Sequence, residues 1–95
     1  MLPPLSSIRI VVPDHVLSRE VDGMTVLLDV DSGRSFSFDE VGTRAWVALT
    51  DSTTASGAVA QLLEEYTAPA DVIERDLIAL IERLSAINLV HVERC

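Results

Sequence analysis

The sequence predicts an α+β domain in which a three-stranded antiparallel β-meander is followed by three α-helices. Three observations carry that expectation. An Asp-Gly pair at 22–23 separates two β-type runs, and a Phe-x-Phe alternation at 36–38 follows a second turn. At Asp39 the apolar period then changes from 2 to about 3.6 residues, the step from strand to helix.

Residues 1–15 hold three of the four prolines, Pro3, Pro4 and Pro13. Proline fixes φ and removes a backbone donor, so this stretch is expected to be an extended, largely irregular arm. The domain proper is expected over 16–95. Its first strand is VLSREV at 16–21 and its second MTVLLDV at 24–30. A type I′ turn needs φ > 0 at both central residues, and Asp22-Gly23 supplies them. In the second strand Met24, Val26, Leu28 and Val30 share one face, while Thr25, Leu27 and Asp29 share the other, the alternation of a strand with one face on a core. Asp31-Ser32-Gly33 turns the chain into a third strand at 34–38, with both phenylalanines on one face. That strand lies at an edge of the sheet.

Asp39 is a good N-cap, and Glu40 places negative charge in the first turn of a helix over 40–50, where Val41, Ala45, Trp46 and Leu49 recur at helical spacing. Gly42 weakens that helix and permits close packing. A polar break at 51–54 precedes a second helix, 55–66, marked by Val59, Leu62, Leu63 and Tyr66. Pro69 opens the third and longest helix, 69–87, where Ile73, Leu77, Leu80, Ile81, Leu84 and Ile87 form one stripe. Ile78 falls outside that stripe and Val72 at its margin, so both need a second surface or a tolerant solvent position. A last short strand is expected at 89–92. A hairpin beside three short helices is winged-helix-like.

Composition narrows the function classes. A chain of 95 residues supports one small core, which buries roughly 60–65% of the surface of the unfolded chain. The formal charge is −8, and the seven basic residues are all arginine, spread singly along the chain. Nucleic-acid binding relies on clustered cations that displace phosphate counterions, so DNA and RNA are disfavoured as partners, and an anionic membrane surface with them. The N-terminal residues lack the basic start and apolar run of a signal peptide, and no segment has the length of a membrane span. A cytoplasmic protein is expected.

No catalytic set emerges. The histidines, His15 and His91, sit in no motif, and the single cysteine, Cys95, allows no intramolecular disulfide or thiolate cluster. A pairing of Cys95 with His91 is a poor nucleophile and base, because a chain-terminal thiol is badly preorganised. Asp29, Asp31, Gly33, Ser35, Ser37 and Glu40 have the spacing of calcium-loop ligands, but Arg34 stands where that loop needs glycine and a strand flanks the segment. No metal, cofactor or enzymatic activity is expected.

The ordered set Leu28, Asp29, Gly33, Phe36, Asp39, Val41-Gly42 and Trp46 resembles the PqqD family, as does the acidic helix ending in Glu64-Glu65-Tyr66 before a Leu-rich helix that closes over Leu84 to Leu89. The resemblance runs from Val16 to Val90. It implies a recognition element for ribosomally made, modified peptides, one that binds the precursor's leader as an antiparallel strand on the third strand, in the groove beside the third helix. The leader site implied is Arg34, Ser35, Phe36, Ser37 and Phe38 on the strand, with Leu77, Leu80 and Leu84 on the helix and Asp76 and Arg83 as polar rim. Phe36 and Phe38 also suit a purely structural role. The partners implied are the leader region and a maturation enzyme. The length and proline-bearing arm fit the stand-alone, B1-type proteins of lasso-peptide biosynthesis, which serve a leader peptidase. Alternatives are a PqqD-type peptide chaperone for a radical-SAM maturase, an acidic winged-helix DNA-binding regulator, or an assembly subunit that dimerises through the edge strand.

Overall fold

A computed structural model describes residues 4–94. Cys95, and with it the weighed Cys95–His91 pair, lies outside the described residues. The order is a 3₁₀ turn (Leu5–Ser7), β1 (Ile8–Val11), β2 (Val16–Val21), β3 (Met24–Asp29), β4 (Ser35–Ser37), α1 (Glu40–Asp51), α2 (Ala55–Glu65), α3 (Ala70–Ala86) and β5 (His91–Arg94). The three-stranded antiparallel sheet has the order β2-β3-β4 and precedes three helices, as the sequence predicts.

Turn chemistry fixes the meander. Asp22 and Gly23 both have positive φ, 53° and 79°, as the type I′ turn requires. In the second turn the Asp29 carboxylate accepts the N–H groups of Asp31 (3.0 Å) and Ser32 (3.2 Å), and Gly33 takes φ 76°. Burial pushes the Asp29 carboxyl up, but hydrogen bonds from the Ser32 and Asp31 amides and the Ser32 hydroxyl, with His15 nearby, outweigh it and hold the group below its ordinary value.

The buried face of β3 is the one carrying Thr25 and Leu27, whereas Met24 and Leu28 on the more apolar face are exposed. Neighbours decide this. Leu27 packs in a cluster with Val16, Phe38, Trp46, Leu84, Leu89 and Val90, and Phe38 stacks on Trp46 with centroids 5.8 Å apart. The buried Thr25 N–H donates to the Thr43 hydroxyl at 2.7 Å, which stitches β3 to α1. A Cβ on Gly42 would stand 3.0 Å from the Phe38 ring, so the glycine expected to weaken α1 is where that helix meets the core phenylalanine.

The N-terminal stretch differs from the irregular arm expected. Leu5 and Ile8 are buried in the helical core, and β1 pairs antiparallel with β5, Ile8 opposite Arg94 and Val11 opposite His91. Burying two large aliphatic side chains contributes about 1.5–3 kcal/mol each, which outweighs the irregularity that the prolines impose. The final strand accordingly begins at His91, and Leu89 and Val90 are core. α3 ends in a Schellman motif: Leu89 N–H bonds Leu84 C=O (3.0 Å), Asn88 N–H bonds Ser85 C=O (3.1 Å), and Asn88 takes φ 60°. Of the two apolar residues outside the α3 stripe, Ile78 packs on the helical core and Val72 lines a cavity. Ile87, expected in the stripe, is exposed at the C-cap.

Candidate functional site

β4 has one partner. Its pairs with β3 are Val26 with Ser37, Leu27 with Phe36 and Leu28 with Ser35, and no strand flanks its other side among the described residues. Phe38 N–H bonds Thr25 C=O and Asp29 N–H bonds Arg34 C=O, both at 2.8 Å. In an antiparallel ladder the bonding direction alternates by residue. Residues 34, 36 and 38 therefore point their backbone groups at β3, and Ser35 and Ser37 point theirs outward. The open edge presents two N–H and two C=O groups ready for another strand.

α3 walls this edge. The Arg83 guanidinium lies over the Phe36 ring, 4.9 Å from its centroid, and Phe36 meets Phe38 edge-on at 5.1 Å. Leu80 packs against the same cluster while remaining partly accessible. Past Gly42, which meets the Phe38 ring, lies an apolar cavity of about 350 Å³ between α1, the end of α2 and α3, lined by Val41, Ala45, Tyr66, Val72, Leu77 and Leu80 among others. Val41 leaves 63% of its surface exposed at this cavity, a large apolar side chain without a cover.

The residues expected at the site divide by burial. Arg34, Ser35, Ser37, Asp76 and Arg83 are exposed, and Phe36 and Leu80 are half-buried, all at the edge or the facing helix. Phe38 and Leu77 are buried, and Leu84, expected on the groove wall, has no exposed surface and supports the wall from beneath. The sequence reading missed the α1 side of the cavity. Val41 and Ala45 share their helical spacing with Trp46 and Leu49, which are core, and of the two apolar residues left over on α3 only Val72 pointed to this surface.

The sheet has another distinctive surface. On its outer face Leu17 stands opposite Leu28 and Val21 opposite Met24, all four exposed, with the Ser35 and Ser37 side chains on the same face. Neighbouring exposed apolar residues make this face a candidate surface for another protein. Among the described residues no group of His, Cys, Asp and Glu could hold a metal ion, and no helix is long and apolar enough to cross a membrane.

Comparison with known proteins bears on the open edge. The structure described as TbiB1 in complex with the TbiA(beta) leader peptide matches with a TM-score of 0.79 and 30% identity, over 84% of this chain and 93% of that one. Lasso peptide synthetase B1 complexed with the leader peptide matches with a TM-score of 0.79 over 87% of this chain and 98% of that one, at 22% identity, a likeness of fold. No protein of curated function matches in sequence. The family described as coenzyme PQQ synthesis protein D (PqqD) matches residues 24–90, a span that holds the open edge and all three helices beside it, and the chain therefore belongs to this family of non-catalytic recognition elements.

Proposed function

We propose that this protein binds the leader segment of a ribosomally made precursor peptide by strand addition to β4 and delivers it to a maturation enzyme, a lasso-peptide leader peptidase in the first instance. The observation that carries the reading is the pair of outward-facing residues Ser35 and Ser37, beside an apolar groove on a chain 30% identical to a protein solved with a leader peptide. Backbone pairing supplies the affinity in this mode, and side-chain pockets supply the selection. The leader takes the edge, an apolar leader side chain takes the cavity, and Arg34, Asp76 and Arg83 form the polar rim. Phe38, Leu77 and Leu84 act from below by holding the groove open.

Delivery needs a second contact. The outer apolar face, with Leu17, Leu28, Val21 and Met24, is the surface we assign to the enzyme. With peptide and enzyme on adjoining surfaces of one sheet, the cleavage encounter becomes intramolecular, so the protein raises effective concentration without chemistry of its own. Such a role places it in the cytoplasm with the newly made precursor.

Titration with synthetic leaders of small precursors encoded beside the gene tests the reading. Saturable binding to one of them, lost in Ser37→Pro while helical circular dichroism persists, is the expected result. The substitution spares the β3–β4 ladder, because the Ser37 N–H faces outward, and proline is tolerated on such an edge. Losing one outward donor costs about 1–3 kcal/mol, roughly 5- to 150-fold in affinity, before the ring's own obstruction. Unchanged affinity in the folded variant contradicts strand addition.

A further inference from the structure

The charges around the groove are sorted by sign. Phe36 lies under Arg83, whereas Val41 and Gly42, further along the chain, share the cavity with Val72 and Asp76. The segment from β4 into α1 thus runs opposite to α3. A strand added antiparallel to β4 runs parallel to α3, with its N-terminal side at Asp76 and its C-terminal side at Arg83. Arg34, the residue before β4, adds a second cation at the Arg83 end.

These groups are available. Among the described residues the ion pairs are Arg9–Glu93 and Arg44–Glu65, so Arg34, Arg83 and Asp76 are in no ion pair. Of the acids in the turn before Arg34, Asp29 is engaged by its own turn and Asp31 is exposed. Arg83 also complements the C-terminal end of the α3 dipole, a task any exposed cation in the last turn performs. Its position over Phe36 is what aims it at β4.

The edge itself says little about register. It is three residues long, carries two serines and accepts a strand of almost any sequence. Asp76 and Arg83 are seven residues apart on one face of α3, about 10.5 Å along the helix at ~1.5 Å per residue. An extended strand rising ~3.3 Å per residue covers that distance in about three residues.

We propose that Asp76 and the Arg83–Arg34 pair set the charge polarity of the bound leader, which carries a basic residue on the N-terminal side of its pairing segment and an acidic residue about three to four positions later. The polarity fixes direction and register where the backbone edge does not. This inference rests on the strand-addition reading and goes beyond it by naming the chemistry of the peptide.

The test is selection of short random peptides displayed on their own messenger RNA against the full chain. Labelled winners are then measured by fluorescence anisotropy against the wild type, Ser37→Pro, Arg83→Glu and Asp76→Lys. Enriched peptides are expected to show the basic-then-acidic order around their apolar residues. Arg83→Glu should weaken the best of them roughly two- to fivefold, the range of accessible ion pairs, with a larger effect at low salt. Replacing that peptide's acidic residue with lysine should restore binding to Arg83→Glu, a recovery that a merely structural role of Arg83 would not give. Peptides that require Ser37 but show no polarity, the reverse polarity, or no recovery overturn this inference alone. No enrichment by a folded chain, or winners indifferent to Ser37→Pro, overturns the strand-addition reading and this one with it.

Discussion

The open edge of the sheet and its outer face are opposite kinds of surface. At β4 the backbone is unsatisfied outward and the side chains, Ser35 and Ser37, are small and polar. On the outer face the β2–β3 ladder is complete, and the side chains, Leu17, Val21, Met24 and Leu28, are apolar and uncovered. The first surface suits an extended peptide, which satisfies it with main-chain groups. The second suits another folded surface, which satisfies it by excluding water. One small sheet can therefore hold two partners without competition between them, provided that its core keeps both surfaces in place.

That proviso gives the largest expected effect. Leu84 lies beneath the groove wall and touches the cluster that seats the sheet on α3. Leu84→Ala should destabilise the protein by about 2–5 kcal/mol, read as a lower urea midpoint, and degrade both surfaces together. Thr43→Val comes next. It keeps the shape but leaves the buried Thr25 N–H without its acceptor, at a cost of about 1–3 kcal/mol. Because that bond joins β3 to α1, faster amide exchange at Thr25 should accompany the lower midpoint.

A sharper separation comes from the outer face. Leu17→Lys with Leu28→Glu places opposite charges across the ladder at exposed positions, which removes the apolar surface without repulsion. Leader affinity should remain within about twofold, since exposed sites away from special features shift stability by roughly 0.5 kcal/mol or less, while pull-down of the enzyme proposed for that face should fail. Loss of leader affinity in this variant would show that the two surfaces are not independent.

The smallest effect belongs to Asp29, which holds the turn into β4. Its carboxyl lies below the ordinary value in the folded chain, so its contribution is present above the unfolded-state pKa and is lost as pH falls through the folded value. Urea midpoints of wild type and Asp29→Asn should differ slightly at neutral pH and converge in acid. A gap that widens in acid would contradict the assignment.

The two regions were also unequally legible in the sequence. The edge strand was readable because its determinants are local: Asp22-Gly23 and Gly33 dictate turns, Phe36 and Phe38 alternate, and Asp39 caps α1 by accepting the Gly42 N–H at 2.7 Å. The outer face was not, because alternation shows that β3 has two faces and leaves the choice of the buried one to distant residues such as Trp46 and Thr43. The β1–β5 ribbon was hidden for the same reason, its partners Arg9 and Glu93 lying 84 residues apart. Asn88 ends α3 in the left-handed conformation more often given to glycine, so the Schellman motif had no glycine to announce it. Of the site, the strand and the outer rim of α3 were readable, while the cavity between α1 and α3 arises only from tertiary packing.

Strand addition at β4 is the central claim, and amide hydrogen exchange tests it at the atoms concerned. With a saturating leader peptide, the N–H groups of Ser35 and Ser37 should become strongly protected, while those of Phe36 and Phe38, whose backbone already faces β3, change little. Protection confined to the helices or the outer face, with Ser35 and Ser37 still exchanging as in the free protein, would contradict the account.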